Sequence, residues 1–306
     1  MLLPALLALL AAQAQPVTSA PLRYRVELAR AGDTTVVISI EAPEPLAGPV
    51  TLVIPRAVPM GYSQQAYDRY VGDVAASGEG GAPLGVAREE GPRFRLGAKG
   101  EGVRRVSYRV DLARMERETT GAADSSRARP RYASLLGYSV FGYLDGFEAR
   151  PIRLEAIAPS DWSVLTTLAP AAPPPLARAT AEAADFYALA DSQLAMGPDL
   201  TVLRAPSPVP LYLAAYAEGP ADPALTASLV ARAMEALVAY FGGAPFAHYT
   251  ALVELLKPVS PDHGYGFSME HLDSSHYFLA ADGGVTPLTP EPQRRRVLFN
   301  FAHHVA

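Results

Sequence analysis

Apolar and polar side chains alternate with a period of two through much of the chain before residue 206. In "LRYRVELA" (residues 22–29) the leucine, tyrosine and valine side chains fall on one side and the charged side chains on the other. The same alternation recurs in "TTVVISIEA", "VTLVI", "VSYRVDL" and "IRLEAIA". Such alternation is typical of half-buried strands and is clearest in antiparallel sheets. With loops rich in Gly, Pro and Ser between the segments, the pattern predicts an all-β, sandwich-like domain over residues 15–206.

The period then changes to that of a helix. Residues 222–241 place apolar side chains four positions apart, at Leu225, Leu229, Ala233, Leu237 and Phe241. Asp222 is a favourable N-cap, and Pro223 suits the first helical position. Gly242 follows directly and is a common C-terminal stop. These signals predict one helix between Asp222 and Gly242.

Two strands and a second helix are predicted after this helix. "YTALVELL" (residues 249–256) and "HYFLA" (residues 276–280) have strand patterns, and a helical pattern begins near Pro290. A helix, two strands and a helix that follow an all-β region indicate a second domain over residues 207–306. The predicted fold class is therefore α+β and multidomain.

The first residues have the pattern of a secretory leader. "MLLPALLALLAAQA" (residues 1–14) is an apolar run that closes with Ala-Gln-Ala, small residues two apart as at a signal-peptidase site. The run is too short to span a bilayer. We expect a signal peptide over residues 1–14 and a periplasmic or extracellular protein; the alternative is an uncleaved membrane anchor. No later stretch has the ~20 consecutive apolar residues of a transmembrane helix, so none is predicted.

Composition narrows the classes of function. The chain has 306 residues, 49% of them hydrophobic, which is enough for two cores. Its formal net charge is −5. Nucleic-acid-binding domains usually carry a basic face, so we predict no nucleic-acid partner. Cysteine is absent, so an exported form would be stabilised by packing rather than by disulfides.

Four stretches carry a resemblance to a known family. They are "FYALADSQLAMG" (residues 186–197), "FGGAPFAHYTALVELL" (residues 241–256), "GYGFSMEHLDSS" (residues 264–275) and "FAHHVA" (residues 301–306). In this order and spacing they resemble the glycyl aminopeptidase family of zinc metallopeptidases. Those enzymes join an N-terminal β domain to a thermolysin-like catalytic domain, often with a C-terminal PDZ domain. The resemblance implies that residues 207–306 are the first, incomplete part of the thermolysin-like domain.

Glu270, in "SMEH", is the substrate-binding residue that the resemblance implies. In the family a glutamate on such a strand faces the cleft and holds the amino terminus of a peptide. A fixed carboxylate opposite an ammonium group supplies the charge that this recognition needs. The alternative is a surface glutamate on a strand with no binding role.

The two histidines of "FAHHVA" resemble the start of a zinc signature. H-E-x-x-H places two histidine ligands one helical turn apart, with the glutamate as general base. Aligned with it, His303 is the first zinc ligand and His304 stands at the general-base position, where the family has glutamate. The second ligand would follow Ala306, so the implied Zn²⁺ site is incomplete within these 306 residues. Because two adjacent residues lie ~100° apart on a helix, the two imidazoles are not expected to face one metal.

A purely structural interpretation of the same segment remains open. Leu298, Phe301, Ala302 and Val305 follow the i, i+3, i+4, i+7 pattern of a helix face that packs on a sheet. Because this pattern still runs at Val305, we expect the sequence to be a fragment that stops within the active-site helix.

Two functions follow from the resemblance. The first is an exported zinc aminopeptidase that hydrolyses the N-terminal peptide bond of a peptide substrate, with a preference for glycine or other small residues. In such an enzyme zinc polarises the carbonyl and activates water. The second is a non-catalytic descendant of the same scaffold that acts as a peptide-binding or structural module. His304 at the base position favours the second function, and the retained Glu270 favours the first.

Overall fold

The computed structural model describes residues 20–57, 64–119, 125–170 and 176–306. The predicted signal peptide lies outside these residues. The strands are β1 (Leu22–Glu27), β2 (Thr35–Ala47), β3 (Val50–Val53), β4 (Val71–Ser77), β5 (Pro83–Leu84), β6 (Val86–Arg88), β7 (Arg93–Leu96), β8 (Gly102–Asp111), β9 (Arg127–Arg129), β10 (Tyr132–Leu136), β11 (Tyr143–Leu144), β12 (Ile152–Ile157), β13 (Ser163–Thr166), β14 (Arg178–Ala183), β15 (Gln193–Gly197), β16 (Thr201–Ala205), β17 (Leu211–Ala217), β18 (Tyr249–Leu256), β19 (Gly266–Glu270) and β20 (Ser274–Ala280). The α-helices are α1 (Leu112–Glu118), α2 (Gly137–Val140), α3 (Phe186–Asp191), α4 (Pro223–Phe241) and α5 (Glu291–Val305).

The first part of the chain forms three sheets. A seven-stranded sheet has the order β14-β12-β1-β2-β8-β4-β5, and two four-stranded sheets have the orders β13-β15-β10-β9 and β11-β3-β7-β6. Neighbouring strands are antiparallel except for the parallel pair β1 and β12. The alternation in β1 buries Leu22, Tyr24 and Val26 and leaves Arg23 and Arg25 exposed. The prediction that this part of the chain is mostly β is confirmed, whereas the three short helices α1, α2 and α3 were not predicted.

The fourth sheet has five strands in the order β16-β17-β18-β20-β19. The three central strands are parallel, and the two edge strands run antiparallel to their neighbours. All eight residues of β18 are buried, as is usual for a parallel strand covered on both faces. β16 pairs with β17, so this sheet begins at Thr201 and the boundary predicted near residue 206 lies after its first strand. The division into two domains stays a prediction.

Helix α4 has the predicted ends. Asp222 accepts a hydrogen bond from the N–H of Leu225, Pro223 is the first helical residue, and Gly242 closes the helix with a φ of 77°. The predicted stripe is wrong at its end, because Phe241 is 62% exposed. At ~100° per residue, a spacing of four residues advances ~40° around the helix at each step. The five positions therefore wind away from the sheet.

The length and composition of α4 also resemble those of a membrane span. Among the residues that the structure describes, α4 is the single helix that is long and apolar enough to cross a membrane by those two criteria. The sequence pattern had predicted no such helix. Ala227, Val230 and Met234 are buried in a cluster with β17 and β18. This contact is the packing expected of a helix in a protein core.

Helix α5 packs through one face on the same cluster. Phe301 is buried, with its ring centroid 4.5 Å from that of Tyr277 on β20, and Leu298, Ala302 and Val305 are partly buried beside it. The predicted apolar face of this helix is thus in contact with the five-stranded sheet.

The five-stranded sheet also packs directly on the first part of the chain. Met269 of β19 and Phe278 of β20 belong to the large apolar cluster of the first three sheets. A buried ionic group crosses the same junction: Arg127 of β9 pairs with Glu254 of β18, and His276 of β20 lies 3.2 Å from the Glu254 carboxylate. All three of these charged or titratable side chains are 0% exposed.

Candidate functional site

The candidate site lies where β19 meets α5. β19 is an edge strand of the five-stranded sheet. Side chains on a strand alternate between its two faces, so Ser268 and Glu270 share one face and Met269 points to the other. Met269 is buried against Tyr138, whose hydroxyl donates to its sulfur at 3.2 Å. This anchor on the buried face directs Ser268 and Glu270 toward α5.

His304 of α5 connects these two residues. Its Nε2 lies 2.6 Å from the Ser268 Oγ, and its Nδ1 lies 3.3 Å from a Glu270 carboxylate oxygen. The Tyr249 hydroxyl donates to the backbone carbonyl of His304 at 3.1 Å, and the Tyr277 ring meets the imidazole edge-on. His304 is therefore held in place by contacts to its ring and to its backbone carbonyl.

The two adjacent histidines have different surroundings. The His304 side chain is 6% exposed, whereas His303 is exposed. Their ring centroids are 5.0 Å apart and their planes differ by 63°. The structure thus brings Glu270 together with His304, while His303 turns toward solvent.

Burial decides the charge of His304. It lowers the pKa of the imidazole, and the neighbouring Glu270 carboxylate raises it by less. Since the ordinary histidine pKa is about 6.5, the ring is neutral at pH 7. A neutral ring has one nitrogen that donates and one that accepts. With Nδ1–H directed at Glu270, Nε2 accepts from the Ser268 hydroxyl.

The end of β19 is attached to the first part of the chain through His271. Its Nδ1 lies 2.9 Å from one carboxylate oxygen of Asp191, and the other oxygen accepts the N–H of Leu272 at 3.0 Å. Asp191 ends α3, within the stretch "FYALADSQLAMG". This stretch therefore positions the strand end that carries Glu270.

The Peptidase M61 N-terminal domain model matches residues 23–198, more than half of the chain. The chain belongs to this family. The search of curated proteins found no significant match to the chain. The predicted resemblance is confirmed at this level: this is a peptidase-like protein with an M61 N-terminal domain.

Solved structures extend the likeness of this M61-family chain beyond the matched domain. An aminopeptidase N family protein from Idiomarina loihiensis has a TM-score of 0.78 and 19% identity over 93% of this chain and 47% of its own. An M1 zinc metallopeptidase from Deinococcus radiodurans has a TM-score of 0.50 and 14% identity over 92% of this chain and 63% of its own. At these identities the likeness is one of fold. The M61-family chain spans about half the length of the first structure.

The described residues of this M61-family chain do not complete a zinc site. Among those that the structure describes, no group of three His, Asp or Glu side chains is arranged to hold a metal ion. A catalytic zinc needs three protein ligands and an open position. His303 is exposed, but both ring nitrogens of His304 already face Ser268 and Glu270. We therefore derive no zinc-dependent step from these residues.

Sequence reasoning missed Ser268. The serine precedes Glu270 by two positions inside the quoted "GYGFSMEHLDSS", and period-two alternation places both on one face. That signal was present, but only the position of His304 shows which face matters. The sequence also left His271 and His276 without roles; the structure pairs them with Asp191 and Glu254.

Proposed function

We propose that this chain belongs to an exported zinc metallopeptidase that removes N-terminal glycine or other small residues from peptides. Membership of the M61 N-terminal domain family and the aminopeptidase-like fold support a peptidase. Export is supported by the leader pattern of residues 1–14. Zinc is supported by the family resemblance, with His303 as the residue of this chain at a ligand position.

One observation carries the proposal: the Glu270 carboxylate lies at a sheet edge, 3.3 Å from His304 and 40% exposed. The carboxylate is held beside His304 and remains partly accessible to solvent. A hydrogen bond from an ammonium group to such a carboxylate contributes ~1.5–3 kcal/mol. Glu270 is therefore the group that binds the amino terminus of the substrate.

A second function is favoured by the orientation of His304. Its imidazole contacts Ser268 and Glu270, whereas a general base beside a zinc ion at His303 would face the bound water. This arrangement supports a non-catalytic module that binds peptide amino termini without cleaving the peptide. Both functions use Glu270 in the same way.

Calorimetric titration tests the role of Glu270. Triglycine amide and its N-acetyl form are each titrated into the unaltered 306-residue chain and into the variants Glu270→Gln and Glu182→Gln. Glu182→Gln is the control, because Glu182 is an exposed strand glutamate paired with Arg153. We expect the free amine to bind at least tenfold more tightly than the acetylated form, a preference lost in Glu270→Gln and kept in Glu182→Gln. Equal binding of both peptides to the unaltered chain would contradict the proposal.

The full-length gene product distinguishes the two functions. Stoichiometric zinc, together with release of glycine that stops with a chelator, supports the peptidase. Preference for a free amine without cleavage supports the binding module. Zinc retained in a His303→Ala variant of the same product would show that His303 is not a ligand.

A further inference from the structure

Ser268, His304 and Glu270 are connected in the order of a nucleophile, a base and an orienting carboxylate. The Ser268 Oγ is 2.6 Å from Nε2 of His304, and the opposite ring nitrogen faces Glu270 at 3.3 Å. Serine hydrolases on unrelated folds share this connectivity, which is recognised by geometry and not by chain order. The geometry points to a second activity: Ser268 is the nucleophile of a metal-independent site that hydrolyses carboxylic esters.

The fold holds the three side chains in place without a substrate. Ser268 and Glu270 occupy one face of β19, and their spacing is set by the strand period. His304 is fixed by the hydrogen bond from Tyr249 to its carbonyl and by the Tyr277 ring. A site whose groups are held by packing and by further hydrogen bonds loses little entropy when it reacts.

The exposure of the site and the leaving group of the substrate together define the class of substrate. Ser268 and Glu270 are both partly exposed, so the site lies at the protein surface, where a small ester is the substrate that fits it best. Alternate N–H groups of an edge strand such as β19 point away from the sheet, and these can donate to a developing oxyanion. Esters with good leaving groups require less stabilisation of the transition state than amides do. We therefore expect activated carboxylic esters as substrates, and no cleavage of peptides by this site.

The reaction balances with water as its only co-reactant. The Ser268 Oγ attacks the ester carbonyl carbon and its proton passes to Nε2 of His304. The bond to the leaving oxygen breaks, and that oxygen takes the proton from His304 to leave as an alcohol. Water then attacks the acyl group and gives a proton to Nε2; the bond to Oγ breaks and Oγ regains a proton. Glu270 is a positioning residue, which accepts from Nδ1–H throughout.

This activity goes beyond the proposed peptidase; the two share Glu270, but ester hydrolysis requires neither zinc nor peptide binding. His303 takes no part, and EDTA should leave the rate unchanged. Absence of zinc or of peptidase activity would overturn only the proposed function. Absence of ester hydrolysis would overturn only the present inference.

The test combines p-nitrophenyl acetate with a fluorophosphonate probe, both in EDTA, on the 306-residue chain. We expect one probe per chain, located at Ser268 by peptide mass spectrometry. Ser268→Ala should abolish labelling, and His304→Gln should lower the rates of labelling and hydrolysis at least 100-fold, as for loss of a general base. The control Ser228→Ala, an exposed serine on α4, should match the unaltered chain.

Further measurements separate chemistry from folding. Ser268→Cys keeps a nucleophile of similar size, so this variant should melt at the same temperature as the unaltered chain. Its cysteine should react with iodoacetamide faster than the cysteine of Ser228→Cys does. Glu270→Gln should slow labelling about tenfold and change the ¹⁵N shifts of the His304 ring from those of the Nδ1-protonated tautomer. Labelling spread over several serines, labelling undiminished in His304→Gln, or unchanged His304 shifts in Glu270→Gln would each overturn the inference.

Discussion

The Arg127 guanidinium donates a hydrogen bond to Glu254 at a point where neither side chain reaches solvent. The Tyr132 hydroxyl donates to the second carboxylate oxygen at 2.7 Å, and the guanidinium lies 4.2 Å from the centroid of the Phe278 ring. Burial alone would raise the pKa of Glu254, but Arg127 and His276 outweigh it and lower the pKa to about 2. An ionised pair thus lies between the first three sheets and the sheet that carries the candidate site.

Removal of one partner of this pair should destabilise the protein strongly. Glu254→Gln keeps the shape of the side chain but removes the carboxylate that Arg127 contacts most closely, so that the buried guanidinium faces Glu116 at 3.8 Å without its nearest counter-charge. Loss of one member of a buried pair typically costs ~3–5 kcal/mol. The free energy of unfolding from urea titrations should fall by that amount. Glu182→Gln, in an exposed pair, should change it little. Equal losses in the two variants would show that burial of the Arg127 pair does not matter.

His276 should make the protein less stable in mild acid. Burial lowers its pKa to about 4, although Glu254 acts in the opposite direction. The unfolded chain takes up this proton near pH 6.5 and the folded chain only near pH 4, so the free energy of unfolding should fall as pH decreases between these values. At ~1.36 kcal/mol per pKa unit the fall is about 3 kcal/mol at most.

Urea titrations at pH 7 and pH 5 test this dependence. His276→Gln should reduce the change in the free energy of unfolding between pH 7 and pH 5, leaving the part that comes from His263 and His304, whose pKa values burial also lowers. His303→Gln, which alters an exposed ring, should keep the full change. Glu254 remains ionised across this range because its pKa is about 2. An undiminished pH dependence in His276→Gln would assign the acid sensitivity to other groups.

Asp222 should contribute measurably to the stability of α4. Its carboxylate accepts the N–H of Leu225 at 2.9 Å, which satisfies a donor that has no partner within the helix. Asp222→Ala should lower the free energy of unfolding by ~0.5–2 kcal/mol, and Asp222→Asn should recover most of the loss. Ser228→Ala on the same helix serves as the control. A full loss in Asp222→Asn would indicate a role other than capping.

Gly219 permits a close approach of two backbone segments. A Cβ added there would lie 2.0 Å from the carbonyl oxygen of Ala281, a group that cannot turn aside as a side chain could. Gly219→Ala should therefore cost at least ~1–3 kcal/mol, the usual cost of overpacking. At Gly243 an added Cβ meets nothing within 4 Å, so Gly243→Ala is the matched control. Equal melting temperatures for the two variants would contradict the predicted clash.

Features that depend on neighbours along the chain were predictable from the sequence. Alternation in "LRYRVELA" encodes which side of β1 is apolar, because a strand directs successive side chains to opposite faces. Asp222, Pro223 and Gly242 encode the ends of α4, because capping uses residues within one turn. The family resemblance was likewise inferred from short motifs, and the match to the M61 N-terminal domain confirms a peptidase family.

Contacts between distant segments were decided by the tertiary structure. Sequence alone placed Thr201–Ala205 in the first domain, but strand pairing with β17 assigns β16 to the five-stranded sheet. Periodicity could not show that His304 is buried while His303 is exposed, because that depends on how α5 rotates against β19. Ser268 and Glu270 meet His304 across more than thirty residues of chain, and Arg127 meets Glu254 across more than a hundred. A local pattern specifies the faces of an element, and only packing specifies what each face meets.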